Sequence, residues 1–211
     1  MIKLENYTKK YKLIIFDLDG VLINSKENMR LAWNGVNKKF KTQVSFQKYF
    51  DNIGMPFIKI LKKVGINKNF EEIKNLYSKI SIENSNKIIF YKDVEKVLKY
   101  LISQRYKIGI VTSKDKKRTN LFLSKLNIKF DCIVCPQKRL KGKPYPDQLK
   151  FLLNKLKIDE KYSVYIGDTI TDSKAAKSCN IDFIFASYGY GISKSKKMKR
   201  ITSLKKLIDI L

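Results

Sequence analysis

The chain has 211 residues, 44% hydrophobic and 12% aromatic, which is enough apolar mass for one sizeable core or for one domain carrying a smaller insert. No apolar run reaches the roughly 18 residues of a membrane span, and "KLIIFDLDG" meets charge too early for a signal peptide, so a soluble, cytoplasmic protein without a membrane partner is expected. Forty-five Lys and Arg against 19 Asp and Glu give a net charge of +26, and the lack of any histidine excludes a Ser/His/Asp triad and a histidine general base.

"YKLIIFD", Tyr11 to Asp17, is a continuous apolar run of the kind a central parallel strand needs when both faces are covered. From Ser25 to about Ile89 the character changes. "SKENMRLAWNGVNKKF" opens on a serine placed to cap a helix and carries Met29, Ala32, Trp33 and Val36 at helical spacing. Helical stretches follow near "FIKILKKVG" and "EEIKNLYSKISIENSNKII", with no convincing strand alternation among them. The block reads as an all-helical insert, and Trp33 as part of its core.

Alternation of helix and strand then resumes. It runs helix "VEKVLKYLISQ", strand "KIGIVTS", helix "KKRTNLFLSKL", strand "CIVC", helix "PDQLKFLLNKLK", strand "YSVYIGD", helix "TDSKAAKSC", strand "DFIFAS". Such spacing implies a parallel sheet with right-handed crossovers. Cys132 and Cys135 stand at CxxC spacing, but with only three thiols and no histidine there is no zinc set, and thiols inside a strand pack as small apolar groups. "GYGISKSKKMKR" reads as a loop and "LKKLIDIL" as a closing helix on the sheet. The predicted fold is α/β, a Rossmann-like doubly wound parallel sheet formed by residues 1–22 and 92–211, with an all-helical insert over 23–91.

In an open parallel sheet, ligands bind beyond the carboxyl ends of the strands. The unusual polar groups all fall there: Asp17 and Asp19 after the first strand, Thr112 and Ser113 after "IGIV", Lys143 in "KGKPYPD", and Asp168 and Asp172 in "IGDTITDS". Taken singly, each has a plainer reading as a turn, a helix cap or a first-turn helix charge. Together they describe one pocket holding carboxylates, a hydroxyl pair and an ammonium.

The ordered set "DLDGV", "VTS", "KGKPYPD" and "GDTITD", with a helical insert after the first motif, resembles the haloacid dehalogenase superfamily, in particular its phosphoglycolate phosphatase and β-phosphoglucomutase branch. The resemblance implies a phosphatase for a small phosphorylated metabolite. Asp17 would be the nucleophile forming an aspartyl-phosphate and Asp19 the acid and base. Mg²⁺ would be held by the Asp17 carboxylate, the Asp19 carbonyl and Asp168, with Asp172 in an outer position. Thr112, Ser113 and Lys143 would bind the phosphoryl group, and Gly20 would let the chain turn past the nucleophile. Dehalogenases of the superfamily lack the second aspartate, so Asp19 favours phosphoryl transfer. Substrate contacts from the helical insert are expected from Arg30, Lys26 and the "NIGMP" turn around Gly54.

Two alternatives stay open at this point. A phosphomutase would need the same pocket with water kept from the intermediate. A non-enzymatic nucleic-acid binder would use the +26 charge, but nearly all of it is lysine spread along the chain, with arginine only at Arg30, Arg105, Arg118, Arg139 and Arg200. A built nucleic-acid face would feature arginine's bidentate fork, so nucleic acid is the less favoured partner.

Overall fold

The computed structural model describes residues 10–191 and 198–211. Strand β1 (Leu13–Phe16) is buried along its whole length, as its unbroken apolar run requires. Its pleat divides two cores. Ile14 and Phe16 face one apolar cluster, with Val97, Leu98 and Leu101 of helix α5 (Val94–Ser103) and with Leu204 and Leu207. Leu13 and Ile15 face the other, with Leu149 and Leu152 of α7 (Asp147–Leu156) and Ala175 and Ala176 of α8 (Ile170–Lys177). This is a three-layer α/β arrangement.

The remaining sheet strands are β4 (Lys107–Val111), β5 (Cys132–Val134), β6 (Ser163–Gly167), β7 (Asp182–Ala186) and β8 (Arg200–Ile201). They are ordered β5-β4-β1-β6-β7-β8, and every neighbouring pair is parallel. The predicted doubly wound sheet is therefore observed. Cys132, Cys135 and Cys179 are free and buried, and burial pushes each thiol up, as expected of packing groups.

Between β1 and β4 the chain forms α1 (Lys26–Phe40), α2 (Phe46–Phe50), α3 (Phe57–Lys63) and α4 (Phe70–Glu83) around a separate apolar cluster. Trp33 is fully buried in it, stacked on Tyr49 at 4.2 Å with its indole N–H donated to the Val44 carbonyl at 2.8 Å. Short α2 escaped the sequence reading, because five residues show little more than one helical turn. So did the two-residue strands β2 (Ile23–Asn24) and β3 (Ile89–Phe90), which pair antiparallel at the base of these helices and are too short for any alternation.

Two further expectations need correction. "LKKLIDIL" forms a 3₁₀ turn over Leu204–Leu207 that anchors Leu204 and Leu207 in the core, not a full helix. The loop read over 189–200 ends in β8, and its residues 192–197 lie outside the described residues. Among the described residues no helix is long and apolar enough to cross a membrane.

Candidate active site

Strand register brings the site together. Phe16 lies opposite Ile110 on β4 and Ile166 on β6, so the three strands end within one residue of each other. The residues just past those ends, Asp17, Thr112 and Asp168, converge on the crevice beside the central strand, with exposures of 4%, 1% and 0%. Asp17 N–H is donated to the Ile166 carbonyl at 2.9 Å, and Thr112 N–H to that of Val134 at 3.1 Å. After Asp17 the chain turns tightly, the N–H groups of Leu22 and Ile23 both reaching the Leu18 carbonyl at 3.0 Å. Gly20 takes φ +84° in this turn, and a Cβ there would overlap the Asp168 carboxylate.

Lys143 is the hub of the charge arrangement. Its ammonium, 1% exposed, lies 3.0 Å from Asp17 Oδ1 and 2.6 Å from Asp172 Oδ1. Burial opposes its charge, but the two carboxylates outweigh burial and hold it firmly protonated. Asp172 has both oxygens occupied. Oδ1 takes Lys143 and the Tyr165 hydroxyl at 2.8 Å, and Oδ2 takes the Thr169 amide at 3.0 Å and its hydroxyl at 2.5 Å, within a capping box that starts α8.

Asp17 and Asp168 are different. Asp168 Oδ1 is buried and accepts no hydrogen bond, and the buried Asp17 Oδ1 has only its ion pair with Lys143. Burial lifts Asp17 to about 7, with Lys143 working against the rise and Asp172 and Asp19 adding to it. Burial, then Asp172 and Asp17, push Asp168 well above the carboxylate range, though the Tyr190 amide donates to its Oδ2 at 2.7 Å. Oxygens of Asp17, Asp168 and Asp172 lie within 4.8 Å of one another. With Asp172 committed to its hydrogen bonds, the free donor set is two hard anionic oxygens, which fits a hard divalent cation.

Asp19 stands apart from that cluster. Its Oδ1 receives Lys114 Nζ at 3.0 Å and the Ser25 hydroxyl. Ser25 therefore does not cap α1 as its position suggested; its hydroxyl is turned to the aspartate instead. Thr112 Oγ1 accepts the Lys114 amide at 3.1 Å, so its own proton remains for donation. Ser113 gives its hydroxyl to the Gly54 carbonyl at 2.9 Å, tying the strand end to the helical insert. A cavity of about 70 Å³ opens over Asp17, Asp19, Thr112 and Lys143.

Of the residues proposed from the helical insert, the turn around Gly54 lines this cavity. Arg30 does not. It lies on the exposed face of α1, with its guanidinium paired to Glu27 at 2.6 Å, because the helix periodicity that buries Met29 and Trp33 turns position 30 outward. Lys26 holds its ammonium 4.8 Å over the Phe50 ring and lines a neighbouring cleft. Sequence reading missed Lys114, Arg118, Tyr49 and Tyr77, all of which line the cavity. Lys114 directly follows the Thr112-Ser113 pair, and Arg118 is one of few arginines in a lysine-rich chain, so both carried a signal. Tyr190, from the far end of the chain, gave none.

Comparison with known proteins agrees with this geometry. Residues 14–186 match the family model described as haloacid dehalogenase-like hydrolase. A phosphoglycolate phosphatase of Aquifex aeolicus is 29% identical, the match covering 94% of this chain and 97% of that protein. The pyrophosphatase PpaX of Bacillus mycoides is 27% identical over 85% of each. The crystal structure titled "a predicted phosphoglycolate phosphatase" from Haemophilus somnus superposes with a TM-score of 0.81 at 25% identity, covering 96% of this chain and 99% of that one. With a parallel six-stranded sheet, an acidic cluster at the end of its central strand and a family match across most of its length, the chain belongs to the haloacid dehalogenase-like hydrolases.

Proposed function

We propose that the protein is a Mg²⁺-dependent phosphatase that hydrolyses a small phosphorylated metabolite through an aspartyl-phosphate on Asp17, residues 23–91 acting as a helical cap over the site. The observation that carries this reading is the pair of under-satisfied buried carboxylates: Asp168 Oδ1 has no hydrogen-bond partner, and Asp17 Oδ1 has only the Lys143 ammonium at 3.0 Å. Asp17 and Asp168, with the Asp19 carbonyl, would hold the metal. When bound, Mg²⁺ supplies positive charge that offsets repulsion between a carboxylate and a phosphate dianion.

The chain's own residues divide the remaining work. Lys143, locked by Asp172 and Tyr165, places a fixed positive charge beside the nucleophile, where charge develops on the phosphoryl oxygens. The Thr112 hydroxyl is free to donate to one of those oxygens. Asp19 lies near but outside the carboxylate cluster, as a group that gives a proton to the leaving alkoxide and takes one back from water should. Lys114 and Ser25 fix its orientation. Ser113 and Gly54 close the cap against the core and limit access of bulk water.

The printed names of the relatives, phosphoglycolate phosphatase and pyrophosphatase, support hydrolysis over the mutase alternative. Phosphate release from a panel of phosphorylated metabolites, run beside isomerisation of hexose 1-phosphates, tests the reading. Release that requires Mg²⁺ and vanishes in Asp17→Asn is expected. Isomerisation without release would replace it with the mutase.

A further inference from the structure

We infer that Arg118 and Tyr77 form a second anion subsite, so that the substrate is a compact molecule carrying a negative group, carboxylate or phosphoryl, on the leaving side of the scissile bond. The inference rests on the phosphatase reading above and specifies its substrate class.

The wall of the cavity opposite the carboxylates is built mostly of Met29, Ile53, Met55, Phe57 and Ile60, with a polar strip of Tyr49, Tyr77 and Arg118. The strip is a one-way chain of donors. Tyr49 donates its hydroxyl to Tyr77 at 3.1 Å, so the Tyr77 proton is left to give. The Arg118 guanidinium lies 5.2 Å from the centre of the Tyr77 ring, and its side chain is only 11% exposed. Asp115 holds it from behind. Asp115 Oδ2 accepts Nε at 2.5 Å, while Oδ1 accepts the Arg118 amide at 2.9 Å. A carboxylate on Nε orients the fork and leaves the outer N–H groups to a ligand. Besides its contact with Tyr77, the guanidinium makes a long hydrogen bond, Nη1 to Ser81 Oγ at 3.4 Å.

The acceptors next to this strip are each already engaged once. The Asn28 amide donates to the Ser81 and Asn84 carbonyls, its oxygen takes the Ser81 hydroxyl, and the Gly54 carbonyl takes Ser113. A polyhydroxylated leaving group needs acceptors as well as donors along its wall, whereas an anion needs donors alone. Size points the same way. The part of the cavity enclosed beside the carboxylates, about 70 Å³, suits a phosphoryl group with a compact remainder.

The test compares kcat/KM with Mg²⁺ for phosphoglycolate, pyrophosphate and 2-hydroxyethyl phosphate in wild type, Arg118→Met and Tyr77→Phe. The wild type should prefer one of the two bis-anionic substrates over hydroxyethyl phosphate by at least about tenfold; phosphoglycolate as the better of the two identifies a carboxylate, pyrophosphate a phosphoryl group. Arg118→Met should reduce that preference by about 10- to 100-fold, mainly through KM, as loss of a charge-assisted contact does. Tyr77→Phe keeps the ring and should reduce it several-fold, which covers the case that Arg118→Met folds poorly. Calorimetry of the preferred anion with Asp17→Asn, with and without Arg118→Met, should show the same loss in Kd. If hydroxyethyl phosphate is cleaved as fast as both anions, or the variants lower all three substrates alike, the subsite is wrong and the phosphatase reading stands. If none of the three is cleaved, nor p-nitrophenyl phosphate, both readings fall.

Discussion

Asp17→Asn should make the metal-free protein more stable at alkaline pH while abolishing turnover. The Asp17 carboxyl is lifted by burial from the ordinary 3.8 to about 7. A folded-state pKa above the unfolded one means that the native state binds the proton more tightly. The associated stability is fully present below about pH 4 and is lost as pH rises through about 7. A displacement of about three pH units at 1.36 kcal/mol each gives about 4 kcal/mol for this one group. Urea unfolding in EDTA from pH 4.5 to 8.5 should therefore show wild-type stability falling across the range. Asp17→Asn, which never ionises at that position, should lack the Asp17 share of that fall while Asp168 keeps its own, and be more stable by about 2–4 kcal/mol at pH 8. Adding Mg²⁺ at pH 8 should restore the wild type and leave the variant nearly unchanged. Parallel pH slopes for the two proteins would refute the reasoning, because the strained charge would then not reside on Asp17.

Asp19→Asn should cost alkyl phosphates far more than p-nitrophenyl phosphate, whose leaving group departs without a proton; equal losses in kcat would count against the acid role. Asp168→Asn should be nearly inactive at every Mg²⁺ concentration, whereas Asp172→Asn, acting through Lys143, Tyr165 and Thr169, should lose about 10- to 100-fold and recover in part as Mg²⁺ is raised; a Mg²⁺ titration showing the reverse order inverts the assignment. Gly20→Ala, which combines φ +84° with overlap of the Asp168 carboxylate, should destabilise by about 1–3 kcal/mol and weaken the Mg²⁺ dependence of activity; a thermal midpoint and Mg²⁺ titration matching wild type would contradict the packing described.

The candidate site was legible because its signals are local. A strand as apolar as Leu13–Phe16 needs burial on both faces, and an aspartate directly after it has nowhere to go but the sheet's carboxyl edge. The same logic placed Thr112, Lys143 and Asp168. What stayed hidden depends on pairing across the chain. Arg30 has the right charge in the right helix, but only its turn toward Glu27 reveals that it faces solvent. Ser25 reads as a helix cap until Asp19 is seen beside it, six residues back. Tyr190 reaches Asp168 and Ser25 from 22 and 165 residues away, and no periodicity encodes that contact. Two-residue strands leave no pattern to read.

The three buried carboxylates show how the fold separates roles that composition cannot. Asp172 sits where a helix begins, so backbone and hydroxyl donors of Thr169 saturate one oxygen, and Lys143 and Tyr165 the other. It is a fixed charge with no coordination left to offer. Asp17 and Asp168 follow strand ends, where the backbone amides are turned to neighbouring strands or loops and few donors remain. Asp168 keeps an interior oxygen without a hydrogen bond, at a cost of about 1–3 kcal/mol or more for a charged group, and Asp17 has only the Lys143 ammonium at its own. Gly20 and Gly189 leave the room that the Asp168 carboxylate occupies, since a Cβ at either would overlap it. Lys143 offsets part of the penalty but leans toward Asp172, at 2.6 Å against 3.0 Å for Asp17. Stability alone would have moved a donor to each under-satisfied oxygen or replaced the pair with apolar side chains. The arrangement makes physical sense when a cation and a phosphoryl group complete it, which is why the under-satisfied oxygens weigh more in the functional assignment than the short motif that contains them.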